Sequence, residues 1–90
     1  LGMVRQWQKL FYGGRFSQTT LEKKTNYELL AEAFGVKALT ISKSEEVEPV
    51  LKEALVAEGP VLINCHIDPD CNVLPMVPAG ASAEEPILEM

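Results

Sequence analysis

The run Val61-Leu62-Ile63-Asn64-Cys65-His66-Ile67 constrains the fold of this chain more than any other segment. It is almost continuously apolar and lies between Gly59-Pro60 and Asp68-Pro69-Asp70, so it reads as a strand. A strand without polar alternation belongs in a parallel sheet with both faces covered. Parallel strands need a crossover, and the preceding residues supply one. Val36–Ser42 holds a short strand at about 37–41, rich in β-branched residues. Ser42 with Glu45 forms a capping box for the next helix. In that helix Val47, Val50, Leu51, Ala54 and Leu55 share an apolar face, while Glu45, Glu46, Glu48, Lys52 and Glu53 stay in water. Its early acids suit the positive end of the helix dipole, and Pro49 is tolerated in the first turn. Strand, helix, strand is a βαβ unit, expected to cross over right-handed.

Upstream, Thr25 with Glu28 offers another capping box, and Tyr27, Leu30, Ala31 and Phe34 form one stripe of a helix over 26–34, stopped at Gly35. Met3, Val4, Trp7, Leu10 and Phe11 recur at helical spacing, which predicts an amphipathic helix over 3–12 ended by Gly13-Gly14. Arg15–Lys24 is polar and irregular. Beyond Asp70 the chain is rich in Pro, Gly and Ala, without periodicity. Two strands and three helices cannot cover both faces of a sheet, and the edges would go unpaired. The pattern therefore fits a piece of a larger α/β domain, and Leu1 in place of an initiator Met agrees with that reading.

Composition narrows the function classes. The net charge of −5, with basic residues scattered and only Lys23-Lys24 adjacent, argues against a nucleic-acid surface. No apolar run approaches the ~20 residues that span a bilayer, and no secretory signal is visible. A cytoplasmic protein is the default. Cys65, His66, Asp68, Asp70 and Cys71 could supply zinc ligands, but their spacing matches no common zinc pattern. On a strand, Cys65 and His66 also point to opposite faces. A buried strand Cys65 and a loop Cys71, without a disulfide, is the stronger reading. His66 reads as structural.

No catalytic constellation stands out. Gly13-Gly14 lacks the Lys-Ser/Thr of a nucleotide loop, and Ser17, Thr19 and Thr20 have no base nearby in sequence. Three of the six aromatics, Trp7, Phe11 and Tyr12, crowd into the first twelve residues. Trp7 is either a core residue or a ligand-facing one, and the glutamines beside it, Gln6 and Gln8, weaken the core reading. Val73-Leu74-Pro75-Met76-Val77-Pro78 reads as an extended terminal arm that must bury its apolar residues against something.

Leu1-Gly2-Met3-Val4-Arg5-Gln6-Trp7-Gln8 with Leu10-Phe11-Tyr12 resembles the signature of acetohydroxyacid synthase (acetolactate synthase) large catalytic subunits. Leu30-Ala31-Glu32-Ala33-Phe34-Gly35, Gly59-Pro60-Val61-Leu62 and Asn72-Val73-Leu74-Pro75-Met76-Val77-Pro78 follow in that family's order. The resemblance covers essentially the whole chain. It implies an α/β fold: the second half of a thiamine-diphosphate-binding parallel-sheet domain over residues 1–90. The element order would be helix, loop, helix, strand, helix, strand, with a C-terminal arm at 72–90.

The implied enzyme is a transferase that decarboxylates pyruvate and joins the two-carbon unit to a second 2-keto acid, pyruvate or 2-ketobutyrate, in branched-chain amino-acid biosynthesis. Its cofactors would be thiamine diphosphate, Mg2+ and FAD, and its setting the bacterial cytoplasm. It would be a homo-oligomer with active sites at subunit interfaces, with a regulatory small subunit as a further partner. Gly2 and Met3 match cofactor-facing positions and Trp7 matches a residue shaping the second-substrate pocket, also the site of herbicides. Ala79 falls where plant relatives carry a herbicide-sensitive serine. The arm would close over the site.

The family's Gly-Asp-Gly and Asn-Asn metal segment would precede Leu1, and its catalytic glutamate lies in another domain. No catalytic residue or metal ligand is therefore assigned in these ninety residues, and the chain alone is expected to be inactive. Two alternatives are another thiamine-diphosphate carboligase or oxidase, and a non-enzymatic α/β interaction module.

Overall fold

A computed structural model describes residues 1–22 and 24–90; Lys23, in the Arg15–Lys24 connection, lies outside the described residues. The elements are α1 (Gly2–Phe11), α2 (Tyr27–Ala33), β1 (Lys37–Ile41), a 3-10 turn (Ser44–Glu46), α3 (Val47–Val56) and β2 (Val61–Cys65). They fall into two compact units. One is Lys23–Ile67; the other combines Leu1–Glu22 with Asp68–Met90.

In the unit Lys23–Ile67, β1 and β2 pair in parallel from Lys37↔Val61 to Ile41↔Cys65. His66 N–H continues the ladder to the Ile41 carbonyl at 2.8 Å. This is the expected strand–helix–strand arrangement, with β2 ending two residues earlier than the apolar run. Helix α2 packs on both strands and α3 on β1. Glu28 of α2 meets Thr40, whereas Glu53 of α3 meets Lys37. Thr40 and Lys37 have opposite parity on β1, so the two helices lie against opposite faces of the sheet without covering them fully.

Helix starts depart from the expected caps. Asn26 caps α2, its side chain accepting from Leu29 N–H at 3.1 Å. Thr25 is not the cap because the helix begins one residue later, and the Glu28 carboxylate is held by the sheet instead. Before α3, Glu46 rather than Glu45 reaches back, accepting from Ser42 N–H at 3.0 Å, and the 3-10 turn replaces a side-chain cap. Gly35, at φ 70, ends α2 as anticipated; the left-handed conformation there costs glycine nothing.

Burial in this unit is thin. Ala31 and Ile41 are its buried apolar residues among those described, while Leu29, Leu30, Phe34, Leu51, Leu55 and Val56 remain exposed. Strand β2 was expected to be buried on both faces, but Val61–Asn64 are only half-buried and Cys65 is exposed. The expectation of a buried Cys65 is thus corrected. It sits at the end of a two-stranded sheet, with no third strand beside it among the described residues.

In the other unit, α1 ends where Gly13 and Gly14 take φ of 61 and 71, and Tyr12 and Gly14 N–H both return to the Gln8 carbonyl. Its burial inverts the amphipathic expectation. Met3, Val4, Trp7 and Phe11 are exposed, Leu10 is half-buried, and the buried residue is Gln6. The C-terminal segment has no helix and doubles back on itself. Met76 and Ile87 exchange both backbone hydrogen bonds, at 2.9 and 2.8 Å, across turns at Pro78–Ala81 and Ser82–Glu85.

Candidate functional site

The first turns of α1 carry Gly2, Met3 and Trp7, and the chain around them explains how they are held. Trp7 is about half exposed, at 49%. It lines an open groove of about 390 Å³ with Val4, Gln8, Tyr12 and Arg15. On this groove the Arg15 guanidinium donates through Nε to the Tyr12 carbonyl at 3.1 Å. Trp7 is therefore not a core tryptophan in this unit. Gly2 opens α1 and Met3 is 40% exposed beside it. Ala79 is exposed on the returning arm.

The glutamines flanking Trp7 have a different meaning from the one the sequence offered. Gln6 Oε1 accepts from Val73 N–H at 2.8 Å, and its Nε2 donates to the Val73 carbonyl at 3.0 Å. Gln8 treats Ser17 in the same way, accepting from its N–H at 3.4 Å and donating to its carbonyl at 3.2 Å. Each carboxamide thus pins one residue of irregular backbone at two points, as a neighbouring strand would. Thr19, buried at 6% exposure, adds its hydroxyl to Gln8 Oε1 at 2.8 Å. Loop backbone needs partners when no ladder supplies them. The glutamines are clamps, and they say nothing directly about Trp7.

Arg5 completes the frame. Its Nε donates to Asp70 Oδ1 at 2.7 Å, its Nη1 to Thr20 Oγ1 at 3.0 Å, and its guanidinium lies 3.7 Å from the Phe16 ring centroid. What escaped the sequence was the joint role of Arg5, Gln6, Gln8, Thr19 and Asp70 in holding the irregular segments. The available signal was the pairing of a polar-rich helix with two long irregular segments that lacked backbone partners.

A second polar cluster lies within the unit Lys23–Ile67. Glu28 Oε1 accepts from Thr40 Oγ1 at 2.6 Å and Asn64 Nδ2 at 3.0 Å, two residues paired directly across the strands. The Thr40 bond first, then those from Asn64 and the Glu28 backbone, hold its carboxyl down at about 2 against an ordinary 4.5. Asn64 Nδ2 also lies 3.3 Å from His66 Nε2, and His66 Nδ1 lies 3.3 Å from Ser42 Oγ. With the amide donating, Nε2 accepts and Nδ1 carries the hydrogen toward Ser42. In that arrangement His66 cannot take a proton from Ser42, so the cluster ties α2 to the sheet and is not a nucleophile with its base.

Cys65 and Cys71 are both exposed free thiols, and no group of three or more His, Cys, Asp or Glu able to hold a metal occurs among the described residues.

Comparison with known proteins identifies the class. Residues 1–65 match the thiamine pyrophosphate enzyme C-terminal TPP-binding domain, and the chain belongs to that family. Its similarity to particular proteins is closer still. It is 46% identical over 82 residues to the acetolactate synthase large subunit of Porphyra purpurea, covering 90% of this chain and 14% of that protein. It is 46% identical over 85 residues to the isozyme 2 large subunit of Escherichia coli strain K12, covering 94% and 16%. With the large subunit of Lactococcus lactis subsp. lactis strain IL1403, identity is 41% over 87 residues, covering 97% and 15%. The chain thus spans about a seventh of the length of these relatives.

Proposed function

We propose that this chain is the C-terminal part of the thiamine-diphosphate-binding domain of an acetolactate synthase large subunit, with 72–90 as its C-terminal arm. The observation that carries this reading is identity of 41–46%, over nine-tenths or more of the chain, to large subunits of that enzyme from a red alga and two bacteria. The enzyme would decarboxylate pyruvate and join the two-carbon unit to a second 2-keto acid.

The residues at the start of α1 fit one wall of a cofactor site. Gly2 leaves the first turn without a side chain, Met3 offers an exposed thioether, and no acidic residue stands in that turn to repel a diphosphate. When bound, thiamine diphosphate supplies the carbon nucleophile of the reaction. This chain's part would be shape and exclusion of water. Gly2 and Met3 would lie against the cofactor, and Trp7 would shape the pocket for the second 2-keto acid. The arm would limit access of water. Magnesium, flavin, a homo-oligomer with shared active sites, a regulatory small subunit and a bacterial cytoplasmic setting belong to the same proposal and rest on the resemblance. No helix among the described residues is long and apolar enough to cross a membrane.

The test is acetolactate formation from pyruvate by the full-length protein supplied with thiamine diphosphate and magnesium, with and without Trp7→Leu. Turnover by the parent with altered selection between pyruvate and 2-ketobutyrate in the variant supports the reading. Oxidation of pyruvate without acetolactate would favour another thiamine-diphosphate enzyme. The ninety residues alone are proposed to be inactive. Micromolar binding of the cofactor and magnesium by this chain in isothermal titration would overturn that part.

A further inference from the structure

We propose that Gln6 is a positioning residue, fixing the root of the C-terminal arm to the helical turn that presents Trp7. The proposal rests on the acetolactate synthase reading and assigns Gln6 a part in admitting the second 2-keto acid.

Gln6 is 2% exposed, in a helix where Met3, Val4, Trp7 and Phe11 face solvent. Its two hydrogen bonds to Val73, at 2.8 and 3.0 Å, use both ends of the carboxamide, and Nε2 also lies 3.7 Å from Met76 Sδ. Burying a carboxamide is costly unless both ends find partners, so this geometry tolerates little slippage. Arg5, one residue earlier, holds Asp70 at 2.7 Å. Two consecutive helix residues therefore grip the arm at Val73 and Met76 and the segment just ahead of it at Asp70. Trp7, about 100° further around α1, faces the groove. Sliding the arm root would release these bonds, and keeping them while the arm moved would turn the helix and carry Trp7 with it. The placement of the Met76–Ile87 fold of the arm and the placement of Trp7 are thus set by the same turn.

The test uses the full-length protein loaded with thiamine diphosphate and magnesium, read by amide hydrogen exchange over 72–77 and by steady-state kinetics with pyruvate and 2-ketobutyrate. Gln6→Met should speed exchange at Val73 on the order of tenfold, from loss of its acceptor. It should raise KM for the second 2-keto acid more than it lowers kcat. Gln6→Glu keeps the shape and guards against a variant that merely fails to fold. At alkaline pH its carboxylate still accepts from Val73 N–H but has no hydrogen to donate to the Val73 carbonyl, so exchange at Val73 should fall between that of the parent and that of Gln6→Met. As pH falls and the carboxyl protonates, its O–H replaces the lost donor, and exchange relative to the parent should return toward one. The charged groups beside it on the two joined segments, Arg5 and Asp70, pair with each other. Unchanged exchange at Val73 in both variants would overturn the clamp. Faster exchange with an unmoved KM would leave Gln6 a stabilising residue only and overturn its positioning role. A parent that makes no acetolactate would instead defeat the underlying reading and with it the substrate part, while the exchange data still decide the clamp.

Discussion

The unit Lys23–Ile67 is contiguous in sequence and closes through a backbone ladder, whereas Leu1–Glu22 with Asp68–Met90 joins residues 65 to 67 positions apart through side chains. In the first, strand pairing satisfies the backbone, and Glu28 adds one bracket from helix to sheet. In the second, Gln6 and Gln8 do the work of missing strands for Val73 and Ser17. A ladder spreads its hold over many equivalent bonds, and losing one leaves the others. A carboxamide clamp concentrates its hold in one side chain, so single substitutions should act more locally and more sharply there.

Ile41→Ala should do the most damage to the ladder unit, since it removes a buried side chain at the sheet. Urea unfolding should fall by about 2–4 kcal/mol, and an unchanged midpoint would show that this core contributes little. Gly35→Ala follows. An added Cβ meets nothing within 4 Å, so the expected loss of roughly 1 kcal/mol comes from the left-handed backbone alone.

Glu28→Gln tests the bracket through pH. The folded carboxyl titrates at about 2, below its unfolded value of 4.5. Its stabilisation is therefore present above pH 4.5 and lost as pH falls through 2. The parent should be more stable than the variant near neutrality, and the two should converge in acid; a gap independent of pH would refute the assignment. Asp70→Asn should matter least, by under about 1 kcal/mol, because the Asp70 side chain is 61% exposed. A larger loss would mean that the ion pair contributes more to holding the arm than its exposure implies.

The same contrast decides what could be read from sequence. Strand β1 matches its expected residues, 37–41, because β-branched content and flanking helix signals agree there. The caps were displaced because Thr25 and Asn26 are both competent, and tertiary contacts chose between them by drawing Glu28 to Thr40 and Asn64. Burial in the ladder unit was overestimated, since an apolar pattern records what a face prefers and not whether neighbours arrive. Gly2 and Met3 were marked by resemblance alone, whereas Trp7 was marked first by the glutamines beside it and only then by resemblance. The clamps were illegible because their partners are backbone groups of aperiodic segments, which no side-chain pattern announces.

Gln6 and Trp7 are adjacent on α1, one turned into protein and the other to the groove. Inserting or deleting a single residue between Gly2 and Arg5 would leave their order intact yet rotate both by about 100° relative to the start of the helix. Either the amide and the indole would leave their partners together, or they would keep them and turn the start of the helix, Gly2 with it, away from its present position by the same angle. This stretch can therefore accept changes in its letters far more readily than changes in its length. Among functional variants of such a protein, gaps should collect in the turns at Pro78–Ala81 and Ser82–Glu85 and stay out of the first turns of α1.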